Sequence, residues 1–192
     1  HEVNAVVVCT DTFAERNQGQ STQGLIDTAA EVVAGARDAG LRTSVTLTAT
    51  FGCPFEGEVP LERFGWVVEQ VVAAAPDEIA LADSIGVAAP TDVDERLALT
   101  RAVVGDAPID LRCHFHNTRN TALANAAAAL AAGVRTFDSS LGGIGGCPFA
   151  PNATGNVPTE DLLYMFERMG FRSGIDLAAL CAMVPWVEGE LG

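Results

Sequence analysis

IDLRCHFH at 109–116, RNTALANAAAALAAG at 119–133 and VRTFDSS at 134–140 read as one strand–helix–strand unit. In the first run Asp110, Arg112, His114 and His116 alternate with Leu111, Cys113 and Phe115, so the two sets face opposite sides of a strand. The alanine-rich segment has helical propensity and stops at Gly133. Working outward, the same alternation of elements recurs. Val3 to Cys9, Arg42 to Ala49 and Glu78 to Ala82 read as strands, and Val134 to Ser140 as the last one. Thr22 to Ala39, Leu61 to Ala75 and a helix opened by a Thr91–Asp94 capping box and running to Val104 lie between them. Two further helices are expected near Thr159 to Met169 and Leu177 to Val187.

Five strands separated by helices require parallel pairing with right-handed crossovers. The order fits an open doubly wound sheet or part of a (β/α)₈ barrel. Thr10-Asp11-Thr12, Thr50 to Cys53, Asp83-Ser84, His114 to Asn117 and Ser139-Ser140 all fall at or past strand C-termini, the end where barrel enzymes place their reactive groups. No GxGxxG follows the first strand, which argues against a dinucleotide fold. The expected fold is therefore an α/β TIM-type (β/α)₈ barrel, incomplete, of about five βα units, with residues 1–192 as one partial domain. The chain starts at His1, nearly inside a strand, and is expected to be the C-terminal part of a longer protein.

Bulk properties narrow the function. Of 192 residues, 48 % are hydrophobic, enough for a sizeable core. Net charge is −14, from 11 Lys plus Arg against 25 Asp plus Glu, which repels nucleic acid and attracts divalent cations. No apolar run reaches membrane-span length and no signal-peptide pattern opens the chain, so no membrane partner and a cytoplasmic setting are expected. The five cysteines are odd in number and lack a CxxC pair, which supports neither a disulfide framework nor a zinc ribbon.

His114 and His116 share a strand face and can converge on one ion. Taken alone such a pair is as often a hydrogen-bonded strand end, but the polar face around it favours ligation. Asn156 is a neutral oxygen donor whose commoner use, just before a helix, is an N-cap. Cys147 sits in GGIGGCP (142–148), a glycine-rich loop that suits an acid, base or nucleophile but lacks the Gly-Lys-Ser/Thr ending of a P-loop. Asp83, in LADSIGV (81–87), is either a turn cap or a carboxylate near the metal. Cys53 is expected to be structural, and Cys113 to face the helices, buried and inert. Oxygen plus imidazole donors suit Mg²⁺ or Mn²⁺ better than structural zinc.

HFHNT (114–118), LADSIGV, FGCPFEG (51–57) and above all GGIGGCPFAPNATGNVPTEDLLYM (142–165) resemble the 3-hydroxy-3-methylglutaryl-CoA lyase family of metal-dependent (β/α)₈ lyases and aldolases. The resemblance covers about Val3 to Asp176. It implies retro-Claisen cleavage of a 3-hydroxyacyl-CoA, such as 3-hydroxy-3-methylglutaryl-CoA, to acetyl-CoA and acetoacetate or the corresponding 3-keto acid. It further implies Mg²⁺ or Mn²⁺ held by His114, His116 and Asn156, a base at His114 or Asp83, and Cys147 as proton donor. An acyl-CoA partner and a homodimer of the full-length protein are implied as well.

Two departures from the family pattern stand out. The Arg-Asp pair of the family's first strand is not found here. Where the family reads His-Asp-Thr, this chain has His116-Asn117-Thr118, and Arg119 then adds a cation near the mouth. Alternatives are an aldolase or carboxyltransferase of the same barrel group acting on a 2-keto acid, and an inactive truncated remnant.

Overall fold

The computed structural model describes residues 1–146 and 155–191. Strands β1 (Glu2–Val8) and β2 (Arg42–Thr48) lead into a short hairpin of β3 (Gly52–Cys53) and β4 (Gly57–Glu58). β5 (Glu78–Asp83), β6 (Asp110–Phe115) and β7 (Thr136–Asp138) complete the strands. The main sheet runs β1-β2-β5-β6-β7, every pair parallel, with β1 and β7 as its edges. Consecutive parallel neighbours joined by helices are the build of a (β/α)₈ barrel, here an open arc of five strands.

The helices are α1 (Asp11–Gln18), α2 (Thr22–Asp38), α3 (Leu61–Ala73), α4 (Pro90–Val104), α5 (Ala122–Ala131), α6 (Thr159–Arg168) and α7 (Leu177–Leu191). Ser21 caps α2 by accepting the Gly24 N–H at 3.2 Å. Leu25, Ile26, Ala29 and Val33 then form its buried stripe. Val7, Val45, Leu47, Ile79, Leu81, Cys113 and Phe115 point from the sheet into the same core, meeting Phe64, Val67, Val68 and Leu97 from the helices. Phe64 and Phe115 are almost wholly buried, so truncating either to alanine should cost about 3–5 kcal/mol.

The other face of the sheet is polar and is ordered in tiers by the strand register. Glu2 and Arg42 pair at the base of the first two strands, and the tier above holds Asn4, Ser44, Glu78 and Asp110. One step up lie Val6, Thr46, Ala80, Arg112 and Thr136. Above them Ala82, His114 and Asp138 stand side by side. The small Ala80 leaves lateral room for Arg112, which ion-pairs with Glu78 and reaches within 3.3 Å of Glu2. Arg42 lies 3.5 Å from Glu78 and 2.9 Å from Asp110. Burial pushes the Glu78 carboxyl above its ordinary range, and the two arginines pull it back.

Several local expectations are corrected. α1 and the β3–β4 hairpin were not read from the sequence, because α1 buries only Phe13 and Ala14 and the hairpin strands are two residues each. α4 begins at Pro90, and its N-cap is Ala89 rather than Thr91. Asp92 still reaches back to accept the Ala89 N–H at 2.8 Å, so half of a capping box survives. α5 starts at Ala122 instead of Arg119, since Asn120 has φ of 58° and breaks the helical path.

Candidate active site

His114 and His116 stand at the C-terminal end of β6. Their rings are 5.3 Å apart between centroids and inclined by 57°. His116 is buried and His114 half-buried. Both line a cavity of about 230 Å³ together with Val6, Phe13, Thr48 and Ser84. A larger cavity of about 650 Å³ lies between the hairpin and the start of α4, rimmed by Glu58, Asp92 and Glu95, and touches neither histidine.

Asn156 is not a helix cap. The N-cap of α6 is Pro158, and Asn156 instead pairs with His116 in an isolated antiparallel bridge. Bridged residues project their side chains to the same side, about 5 Å apart at Cβ. The Asn156 amide donates through Nδ2 to the Ile144 carbonyl at 3.0 Å, which turns Oδ1 the other way. That Oδ1 is buried and has no hydrogen-bond partner among the described residues. An amide oxygen left in this way can accept a hydrogen bond or ligate a cation. Gly145 makes this placement possible: with φ of 109°, it would bring an added Cβ to 2.7 Å from Asn156 Nδ2.

Each histidine has a carboxylate behind it. Asp138 Oδ2 lies 3.5 Å from His114 Nδ1. Asp83 is fully buried, and its backbone carbonyl accepts the His116 N–H at 3.2 Å. Its two carboxylate oxygens accept the Val87 and Ala88 N–H groups at 3.0 and 2.9 Å. Burial raises the Asp83 pKa, against the pull of those two amides and of the His116 imidazole. With both oxygens engaged and no exposed surface, Asp83 shapes the turn before α4 and supports His116. The set of two imidazoles and an amide is neutral, and the Asp138 carboxylate beside His114 stands as an outer partner to it. Such a mixed nitrogen–oxygen site fits Mn²⁺ or Mg²⁺. Among the described residues no group of three or more His, Cys, Asp and Glu makes a separate metal site.

Arg119 is tied down by two backbone carbonyls. Its Nη1 donates to the carbonyls of Ile85 and Gly86 at 3.3 and 3.0 Å, tying the β6–α5 loop to the β5–α4 turn. The same loops interlock through Gly86, whose φ is 61° and whose added Cβ would meet Thr118 Cβ at 2.8 Å. Asn117 accepts the Ala122 N–H at 3.2 Å and shapes the start of α5. Cys53 is buried and accepts the Thr10 hydroxyl at 3.1 Å; it is structural. Cys113 faces the helices, and burial pushes its pKa up to about 12. Cys147 lies outside the described residues.

The family model described as HMGL-like matches residues 1–187. The chain belongs to the HMGL-like family. It is 42 % identical over 99 % of its length to an (R)-citramalyl-CoA lyase of Chloroflexus aurantiacus, covering 59 % of that protein. It is 36 % identical over 100 % of its length to a hydroxymethylglutaryl-CoA lyase of Bacillus subtilis, covering 64 % of it. The crystal structure of a Bacillus subtilis HMG-CoA lyase superimposes with a TM-score of 0.89 at 35 % identity, covering 100 % of this chain and 63 % of that one. An Acinetobacter baumannii HMG-CoA lyase solved with coenzyme A and 3-methylmalate gives a TM-score of 0.87 at 36 % identity, covering 95 % and 59 %. This HMGL-like chain thus spans about three fifths of the length of the relatives it matches. Among the described residues no helix is long and apolar enough to cross a membrane.

Proposed function

We propose that the protein is a carbon–carbon lyase that cleaves a 3-hydroxyacyl-CoA to acetyl-CoA and a keto acid. The observation that carries this reading is the pairing of His114 and His116 at the strand end with Asn156 bridged to His116, its buried Oδ1 without a hydrogen-bond partner among the described residues. Those three residues would hold Mg²⁺ or Mn²⁺. The ion supplies Lewis acidity, lowering the pKa of a hydroxyl that it binds.

The reaction balances without a further reactant. The substrate hydroxyl gives up its proton, the C2–C3 bond breaks, and the oxygen becomes a carbonyl. The bonding pair moves to C2 as the thioester enolate, which a proton converts to acetyl-CoA. Cys147 is the proposed donor of that proton. Of the two candidate bases, Asp83 is sealed from the cavity. His114 offers one nitrogen, since its Nδ1 faces Asp138, and that nitrogen can serve the ion or take the proton. The spacing to His116 favours using that nitrogen for the ion, and the hydroxyl proton then passes to a water molecule, matching the proton that C2 receives, so no net proton is gained or lost.

The cavity beside the histidines, about 230 Å³, is smaller than the ~300–1,000 Å³ pockets that hold whole drug-sized ligands. It suits the acyl head alone, with Val6 and Phe13 offering an apolar wall to a methyl branch. Identity is higher to the citramalyl-CoA lyase than to the hydroxymethylglutaryl-CoA lyase, which favours the shorter acid over 3-hydroxy-3-methylglutaryl-CoA. The test is acetyl-CoA release by the full-length protein from citramalyl-CoA and from 3-hydroxy-3-methylglutaryl-CoA, with and without Mn²⁺ or Mg²⁺. Metal-dependent cleavage of either supports the reading, and cleavage of neither overturns it.

A further inference from the structure

Asp138 belongs neither to the three proposed ion-holding residues nor to the groups considered for proton transfer, yet its carboxylate stands between an imidazole and a guanidinium. The β6–β7 register sets Asp138 directly beside His114. Oδ2 lies 3.5 Å from His114 Nδ1, and Oδ1 lies 3.6 Å from Arg112 Nη1. Arg112 is itself braced from the far side by its ion pair with Glu78, which is 2 % exposed, and by Glu2 at 3.3 Å. The line Glu78–Arg112–Asp138–His114 therefore runs from the buried floor of the polar face to the candidate site.

A neutral imidazole has one N–H donor and one lone-pair acceptor, and which nitrogen carries the proton depends on its neighbour. A carboxylate only accepts, so the nitrogen facing it is the donor. We propose that Asp138 is a positioning residue that keeps the His114 proton on Nδ1 and leaves the Nε2 lone pair free for the cavity, with Arg112 fixing the direction of the carboxylate. The effect on metal binding rests on the lyase reading; the tautomer does not. A carboxylate partner of this kind orients the ring and raises its basicity as a ligand, and losing one typically costs 10–100-fold in metal affinity.

The test uses ¹⁵N-labelled full-length protein without metal, at alkaline pH where the imidazole is neutral. Long-range ¹H–¹⁵N spectra distinguish the two tautomers, and the His114 resonances are assigned by their loss in His114→Asn. The expected result is an Nδ1–H tautomer, shifting toward Nε2–H in Asp138→Asn, whose amide can donate to Nδ1. Mn²⁺ affinity, followed by EPR titration, should fall about 10–100-fold in Asp138→Asn and recover in part in Asp138→Glu. An Nε2–H tautomer in the wild-type protein overturns the proposal, and that spectrum needs no variant to fold. A folded Asp138→Asn with unchanged tautomer and unchanged affinity overturns it as well. If the wild-type tautomer is Nδ1–H but the protein binds no Mn²⁺, the positioning role stands and the metal-dependent lyase reading falls.

Discussion

His116 and Asn156 are 40 positions apart, yet their backbones pair in a single antiparallel bridge that carries the asparagine to the end of β6. The segment after residue 154 thereby adds a donor to a site otherwise built on one strand. Further hydrogen bonds hold it there, from the Asn117 N–H to the Gly155 carbonyl and from the Val157 N–H to the Phe115 carbonyl, each 3.0 Å.

Asn156→Ala should remove the amide donor while leaving the bridge, which is a backbone contact. Loss of a direct ligand should weaken Mn²⁺ binding by at least the ~10-fold that loss of an outer partner costs. EPR titration of the folded variant measures this, and wild-type affinity would take Asn156 out of the ion-holding set.

Thiol chemistry should sort the cysteines by burial. Cys9 and Cys113 are buried, and desolvation pushes the pKa of each up to about 12. At neutral pH their thiolate fraction is on the order of 10⁻⁵, too small for alkylation of the folded chain. Cys181 is exposed. Peptide mapping after brief iodoacetamide treatment should find Cys181 modified and Cys9 and Cys113 untouched; modification of Cys113 in native protein would contradict the packing described for β6.

Asp77 should give the chain part of its acid sensitivity. Its Oδ2 accepts the Thr43 N–H at 2.7 Å and the Thr43 hydroxyl at 2.8 Å, and these bonds lower its pKa. A carboxylate with a folded pKa below its unfolded one stabilises the fold above the unfolded value. That stability is lost as pH falls through the folded value. Asp77→Asn should therefore lower the urea midpoint at neutral pH and narrow its difference from the midpoint at about pH 3. An unchanged difference would show that the Asp77–Thr43 bonds do not contribute.

Glu78 has the opposite sign. Its pKa is raised in the fold, so its contribution becomes more unfavourable as pH rises through the carboxylate range. Arg112→Ala removes its nearest cation, and Arg42 remains 3.5 Å away. The expected loss is about 3 kcal/mol at neutral pH, the lower end for a broken buried pair. It should shrink in mild acid as Glu78 takes a proton. Denaturant titrations at the two pH values check this; a pH-independent loss would place the damage elsewhere.

The parts of this molecule that depend on local pattern were legible in the sequence. Alternation in IDLRCHFH correctly separated Cys113, on the helix side, from His114 and His116 on the polar side. Five strand–helix alternations gave the parallel arc. Features that depend on which distant residues meet were not legible. On local grounds Asn156 read as a cap, and only the family resemblance placed it with the histidines, because nothing local signals a bridge to residue 116. Arg119 read only as a cation near the mouth, and its tie to the β5–α4 turn was hidden because its carbonyl partners lie 33 and 34 positions earlier. Asp138 drew no notice at all: its place beside His114 follows from the strand register, which the spacing of 24 positions does not reveal.

The fit of Gly86 against Thr118 has a consequence for how this site can change. The turn after β5 and the loop after β6 are keyed into each other at less than the reach of one methyl group, and Arg119 laces them together a second time. Neither can widen or shift by itself. A remodelled entrance for a bulkier acyl chain would have to redraw both loops in one move, so randomising either one singly should return mostly misfolded proteins, while paired libraries spanning 85–88 and 117–120 would contain the viable solutions.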